Sequence, residues 1–225
     1  MNCLRSPLAG LKLTVGDRSV GAIYKEVAEP LATLVFGHGA GGDMHHRTMK
    51  AIAEAFSKVA IATLRFNFPF KEDGHARVDS KAVSEATVKA AVEFAAANYQ
   101  TSLFLGGHSF GGRMASHAMV DYELDVDGMI LCSFPLHPRG KPSITRADHL
   151  GSIGCPLLFL SGTRDALAEP DLLGSVVKAA RGKLQWLETA DHGYGILKRT
   201  RQRKDDVFDE MASHASDFVV SVMSR

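Results

Sequence analysis

The chain has 225 residues, 45% of them hydrophobic, with 26 Lys and Arg against 25 Asp and Glu for a net charge of +1. These proportions describe a globular protein with a substantial core. A near-neutral balance argues against nucleic-acid binding, which rests on neutralised phosphates, and no apolar run approaches the roughly 18 residues of a membrane span.

Residues 1–7 hold no long apolar stretch, so no secretory leader is expected. Cys3, Cys132 and Cys155 are too widely spaced for a disulfide framework or a zinc pattern. Cys132 and Cys155, in or beside apolar runs, read as buried thiols of a cytoplasmic protein. Residues 11–15 and 22–27 alternate and predict an opening pair of strands. Residues 32–36 form a short apolar run closed by glycines, as in a strand buried on both faces. A helix is predicted over 47–58, with Met49, Ile52 and Phe56 on one side, and another buried strand over 59–64. A long helix over 80–99 carries Val88, Ala91, Val92, Ala95 and Tyr99 on one face. A strand over 102–105 and a helix over 110–121 follow, then strands at 127–133, 156–161 and 184–188. The closing helix, 207–223, has the stripe Phe208, Met211, Ala215, Phe218 and Val222. The alternation predicts a single α/β domain over 1–225, a doubly wound and mostly parallel sheet with helices on both faces and an antiparallel edge. Ligands of such sheets sit beyond the carboxyl ends of the strands.

The strand at 102–105 runs into Gly107-His108-Ser109-Phe110-Gly111, a G-x-S-x-G pattern followed by a helix. That turn lifts a serine hydroxyl above the sheet, and its glycines are needed where strand and helix pass close. A serine is activated by a base, and the base is oriented by a carboxylate. Asp165 follows the strand at 156–161 and His192 follows the strand at 184–188, so Ser109, Asp165 and His192 occur in the order this turn requires. Phe36-Gly37-His38-Gly39-Ala40-Gly41-Gly42 supplies a second loop, and the N–H groups of Ala40 and Phe110 are assigned as an oxyanion hole.

Other readings compete for the same residues. Gly37, Gly39 and Gly42 also fit a dinucleotide-binding fingerprint, with Arg65 where a 2′-phosphate would be met, but this leaves Ser109, Asp165 and His192 unexplained. A P-loop fails because no Lys-Ser/Thr follows the glycines. His149 and His214 do not follow a strand end, His137 precedes Asp165, and Asp191 is too close to His192 in sequence to orient its ring. Asp148 lies far from the end of its strand. His38 and His108 read as structural. His45, His46 and Asp43 fall short of a metal pattern, and no metal or cofactor is expected. The basic run 198–204 reads as a solvated face balanced by Asp205, Asp206, Asp209 and Glu210, the alternative being attraction of an anionic substrate. Phe66, Phe68, Phe70 and Tyr194 sit near the rim, where Phe68 and Tyr194 are assigned to substrate binding; a core role would use the same residue types.

With these motifs the chain resembles the α/β-hydrolase family over nearly its full length, and its small lidless members near dienelactone hydrolase in particular. His38-Gly39-Ala40-Gly41-Gly42, Arg65-Phe66-Asn67-Phe68-Pro69, Gly162-Thr163-Arg164-Asp165 and Asp191-His192-Gly193-Tyr194 also resemble a small predicted-hydrolase subfamily that includes relatives of a nuclear acetyltransferase-complex subunit. Dienelactone hydrolase uses a cysteine where this chain has Ser109, so its lactone substrate is not carried over. The haloalkane dehalogenases and epoxide hydrolases of this fold use an aspartate there, and neither reaction is expected. Residues 133–156, with Pro135, Pro138 and Pro142, are too few for a helical lid. The resemblance implies a serine hydrolase acting on a small-molecule ester or thioester. A catalytically silent binding or scaffold protein of the same fold is the alternative, and it expects Ser109 to be buried under Phe110, Phe68 or Met44.

Overall fold

The computed structural model describes residues 10–225. Cys3 and the segment examined for a leader lie outside the described residues. Eight strands form one sheet: β1 (Leu11–Val15), β2 (Arg18–Lys25), β3 (Ala32–Gly37), β4 (Ile61–Phe66), β5 (Ser102–His108), β6 (Gly128–Cys132), β7 (Leu157–Gly162) and β8 (Lys183–Leu187). Their spatial order is β1-β2-β4-β3-β5-β6-β7-β8. β1 and β2 pair antiparallel, β2 runs antiparallel to β4, and every pairing from β4 to β8 is parallel. The expected antiparallel edge is therefore present. β2 starts four residues earlier than its alternation suggested, because Gly16, at φ +61°, closes a two-residue hairpin that pairs Val15 with Arg18. β4 starts two residues later than expected, since Ala60 turns through φ +58° before the strand begins.

Among the described residues six α-helices cover the sheet: α1 (Arg47–Ser57), α2 (Pro69–Glu72), α3 (Lys81–Asn98), α4 (Phe110–Tyr122), α5 (Pro170–Ala179) and α6 (Val207–Met223). Helices α1 and α6 pack on one face, where Met49, Ile52, Phe56, Met211, Ala215 and Phe218 meet Leu34, Phe36 and Ile130 of the sheet. On the other face, α3, α4 and α5 bury Val88, Val92, Met114, Leu173 and Val177 against Val35, Leu105, Leu131 and Phe159. Every residue of β3, β4, β6 and β7 is buried, as a parallel sheet covered on both sides requires. Phe56 has no solvent exposure, and its truncation to Ala is worth about 3–5 kcal/mol of stability.

The sequence stripe missed α5. Its start carries a signal all the same: Pro170 occupies the first turn, Asp171 complements the helix dipole there, and Leu173, Val176 and Val177 form its buried side. α3 and α6 begin at side-chain caps, Ser80 accepting from the Val83 N–H and Asp206 from the Phe208 N–H. Between β6 and β7 the chain makes only two 3-10 turns, Thr145–Ala147 and Leu150–Ser152, so among the described residues this segment forms no lid over the sheet's carboxyl edge. Among the described residues no helix is long and apolar enough to cross a membrane.

Candidate active site

The loops at the carboxyl ends of β3, β5, β7 and β8 converge on one point. Ser109 sits between β5 and α4 at φ 53°, ψ −115°, a backbone conformation costly for a side-chain-bearing residue. Neighbouring glycines make that turn possible. A Cβ at Gly111 would lie 2.2 Å from the Gly37 carbonyl oxygen, and one at Gly107 would lie 2.5 Å from the Gly111 and Gly112 backbone. The Ser109 N–H is anchored to the Cys132 carbonyl at 2.9 Å, fixing the turn against β6.

His192 lies on the loop after β8, with its Nε2 2.8 Å from Ser109 Oγ. Its Nδ1 is 2.8 Å and 3.0 Å from the two carboxylate oxygens of Asp165, on the loop after β7. A carboxylate only accepts, so Nδ1 carries the ring proton and Nε2 is left to accept from the serine hydroxyl. The Asp165 side chain has no solvent exposure, and the Leu167 N–H donates to its Oδ1 at 2.8 Å. His192 keeps 26% of its side chain exposed and Ser109 is only half-buried, so neither Phe110, Phe68 nor Met44 closes over the serine.

Two features of the surrounding shell were not drawn from the sequence. His108 Nε2 donates to the main-chain carbonyl of His192 at 3.0 Å, and burial pushes its pKa down to about 4. Asp191 accepts from the N–H groups of Gly193 and Gly195, at 2.9 and 2.8 Å, tying the loop that bears His192. Each depends on a contact closed by loop geometry, for which a single sequence offers only adjacency to Ser109 or His192 as a signal.

The glycine loop after β3 packs on the same turn. His38 Nδ1–H donates to the Gly39 carbonyl at 2.8 Å, and its Nε2 accepts the Phe68 N–H at 3.2 Å. Burial depresses the His38 pKa to about 4, which keeps the ring neutral, as that pair of bonds demands. The Ala40 N–H, on the exposed end of this loop, and the Phe110 N–H, at the first position of α4, donate to no group among the described residues.

Several expectations change in three dimensions. Phe68 does not wall a substrate pocket: its ring is fully buried and sits edge-on to His38, Phe66 and Phe110. The hydrophobic gain of that aromatic cluster outweighs exposure at the rim. Tyr194 does line a cleft of about 780 Å³ beside His192, but its phenol is committed to the Leu160 carbonyl at 3.0 Å. Arg65 is not available to a phosphate, since it is buried and donates to the Met44 carbonyl at 2.9 Å. Gly37 and Gly39 are spent on close approach to Gly111 and His108. His46 caps α1, accepting from the Thr48 N–H. In the basic run, Arg201 is buried against Glu210 and Arg203 pairs with Asp205 and Glu210, so these charges are internally balanced.

A family model described as an alpha/beta hydrolase domain matches residues 30–220. Among solved structures, Est1E from Butyrivibrio proteoclasticus with ferulic acid bound superposes with a TM-score of 0.77 at 16% identity, over 96% of this chain and 100% of that one. Dienelactone hydrolase from Anabaena variabilis gives a TM-score of 0.71 at 16% identity, over 94% and 96% of the two chains. A serine hydrolase without a lid from Xanthomonas campestris gives 0.69 at 18% identity, over 95% and 93%. At such identities the likeness is one of fold.

Proposed function

The chain belongs to the alpha/beta hydrolase domain family, and from that membership we propose that it is a serine hydrolase cleaving a small-molecule ester or thioester through an acyl-enzyme. The observation that carries this reading is the hydrogen-bonded line from Ser109 Oγ through His192 to Asp165, at 2.8 Å on each side of the imidazole. In the proposed route, Ser109 attacks the carbonyl carbon as its proton passes to His192 Nε2. The negative oxygen of the tetrahedral intermediate is held by the N–H groups of Ala40 and Phe110, helped by the positive end of α4. Asp165 keeps the His192 tautomer and offsets the imidazolium charge. His192 gives its proton to the departing alcohol or thiol, then deprotonates a water that attacks the acyl carbonyl and frees Ser109 and the carboxylic acid. Every proton is accounted for by one side chain, so the route needs no metal or cofactor. We place the activity in the cytoplasm, where the free thiols of Cys132 and Cys155 stay reduced.

The test is hydrolysis of phenyl acetate and of an acetyl thioester by the wild type and by Ser109→Ala, with rapid-quench mass spectrometry for acetylation of Ser109. Turnover with a transient acetyl group on Ser109, both lost in the variant, supports the proposal. Turnover that survives Ser109→Ala overturns it.

A further inference from the structure

The cleft beside His192 has a charged wall built from three separate segments. Arg47 is the first residue of α1, Arg139 lies on the loop between β6 and β7, and Arg164 precedes Asp165 on the loop after β7. Three arginines thus line a cleft with a single acidic residue, Asp191, one oxygen of which is already committed to two backbone N–H groups. Arg47 and Arg139 are exposed, and their guanidinium groups engage no hydrogen-bond or ion-pair partner among the described residues. Arg164 spends one N–H on the Thr189 carbonyl at 3.0 Å and keeps its remaining donors. Unpaired arginines in a concave site focus a positive field and present planar forks matched to carboxylate or phosphate oxygens.

The position of the cleft says which half of a substrate it would take. Its wall includes His192 but not Ser109, Ala40 or Phe110, so of the residues in the proposed route it touches only the base. In the proposed route the carbonyl oxygen turns toward those two N–H groups, whereas the leaving oxygen or sulfur must face the imidazole that protonates it. The leaving group therefore projects along the His192 side, into a cleft that Ala51, Tyr194 and Phe208 line together with the arginines. Resting on that route, we propose that the cleft receives the leaving alcohol or thiol and that this half carries an anionic group, carboxylate or phosphate.

The test has a turnover arm and a binding arm, on the wild type and on Arg47→Gln/Arg139→Gln. These two side chains are exposed and unpartnered, so their replacement spares the fold. The turnover arm compares 4-acetoxybenzoate and 4-acetoxyphenyl phosphate with neutral methyl 4-acetoxybenzoate and with monophenyl succinate, whose charge lies on the acyl half. Each kcat/KM is divided by that ester's hydroxide-catalysed rate. The proposal expects the esters with anionic leaving groups to exceed the neutral one by about tenfold or more. The ratio should collapse to about two in the double variant and shrink as salt is added. The preferred anion, carboxylate or phosphate, identifies the source of the charge. Equal ratios, or a preference for monophenyl succinate, overturn the assignment. The binding arm titrates benzoate, phenyl phosphate and benzamide into Ser109→Ala, with and without the two arginine changes. If no ester is hydrolysed, the serine-hydrolase reading fails by itself, and this arm still decides the cleft. Anions binding about tenfold tighter than benzamide, with the difference lost in the arginine variant, sustain an anion site. Equal binding removes it.

Discussion

His108 and His192 are joined by a bond from ring to backbone: Nε2–H of His108 donates to the His192 carbonyl at 3.0 Å. The residue immediately before Ser109 thus holds the loop that presents the imidazole to Ser109. Burial drives the His108 pKa to about 4, so at neutral pH the ring is uncharged and its one proton sits on the nitrogen facing that carbonyl. Serine turn and histidine loop are locked to each other by a group that takes no part in proton transfer.

His108 is therefore a positioning residue. His108→Ala should lower kcat for phenyl acetate by about 10- to 100-fold with KM changed much less, because small displacements of a base are costly. His108→Gln, whose amide can still donate to the carbonyl, should recover most of the loss. A Gln variant as impaired as Ala would show that the ring is filling space and not holding the loop.

Asp165 is wholly buried and touches the protonated nitrogen of His192. Asp165→Asn presents an amide that favours the opposite tautomer, with the proton on the nitrogen that must accept from Ser109. The expected loss in kcat is about 10³–10⁴-fold, by analogy with the protease triads. Unfolding in urea should show a variant still folded. Activity within about tenfold of wild type would mean that Asp165 does not orient the ring.

The crossing of β5 and α4 over the loop after β3 leaves no room for a side chain. Gly111→Ala would place Cβ 2.2 Å from the Gly37 carbonyl oxygen, a backbone atom that cannot swing aside as a flexible side chain would. A loss of about 3 kcal/mol or more is expected in urea denaturation. Gly41→Ala, with nothing within 4 Å of the new methyl, should stay within about 0.5 kcal/mol of wild type. Similar stabilities for the two would contradict the packing described for the turn.

His38 makes stability sensitive to acid. Burial holds its folded pKa at about 4 against an ordinary 6.5, and the neutral ring is the form that accepts the Phe68 N–H. The unfolded chain takes up this proton first. The stabilising contribution is therefore complete above about pH 6.5 and is lost as pH falls toward 4, at about 1.4 kcal/mol per pH unit for each such group. His108, His117 and His149, each pushed to about 4 by burial, add three further groups of the same sign. Urea midpoints should fall from pH 7 to pH 5, and less steeply in His38→Gln, a variant less stable at pH 7. A slope unchanged by the substitution would remove His38 from the acid response.

The fold was legible where period and punctuation agree. The stripe of α6 and the buried runs of β3 and β7 follow from apolar spacing, and Ser109, Asp165 and His192 from their places after strands. Helix α5 escaped because its apolar stripe is short and begins inside a loop already occupied by Asp165. Phe68 was misplaced because chain position beside a rim does not say whether a ring turns inward, and here His38, Phe66 and Phe110 draw it into the core. The three arginines of the cleft lie in sequence segments 47, 139 and 164, whose meeting only the strand order brings about.

A fluorophosphonate probe tests whether Ser109 is an activated nucleophile, without knowledge of the natural substrate. Intact mass after brief exposure at neutral pH should show one adduct on the wild type, mapped to Ser109, and none on Ser109→Ala. A folded wild type that stays unlabelled, or a Ser109→Ala variant labelled as fast as wild type, would contradict the account.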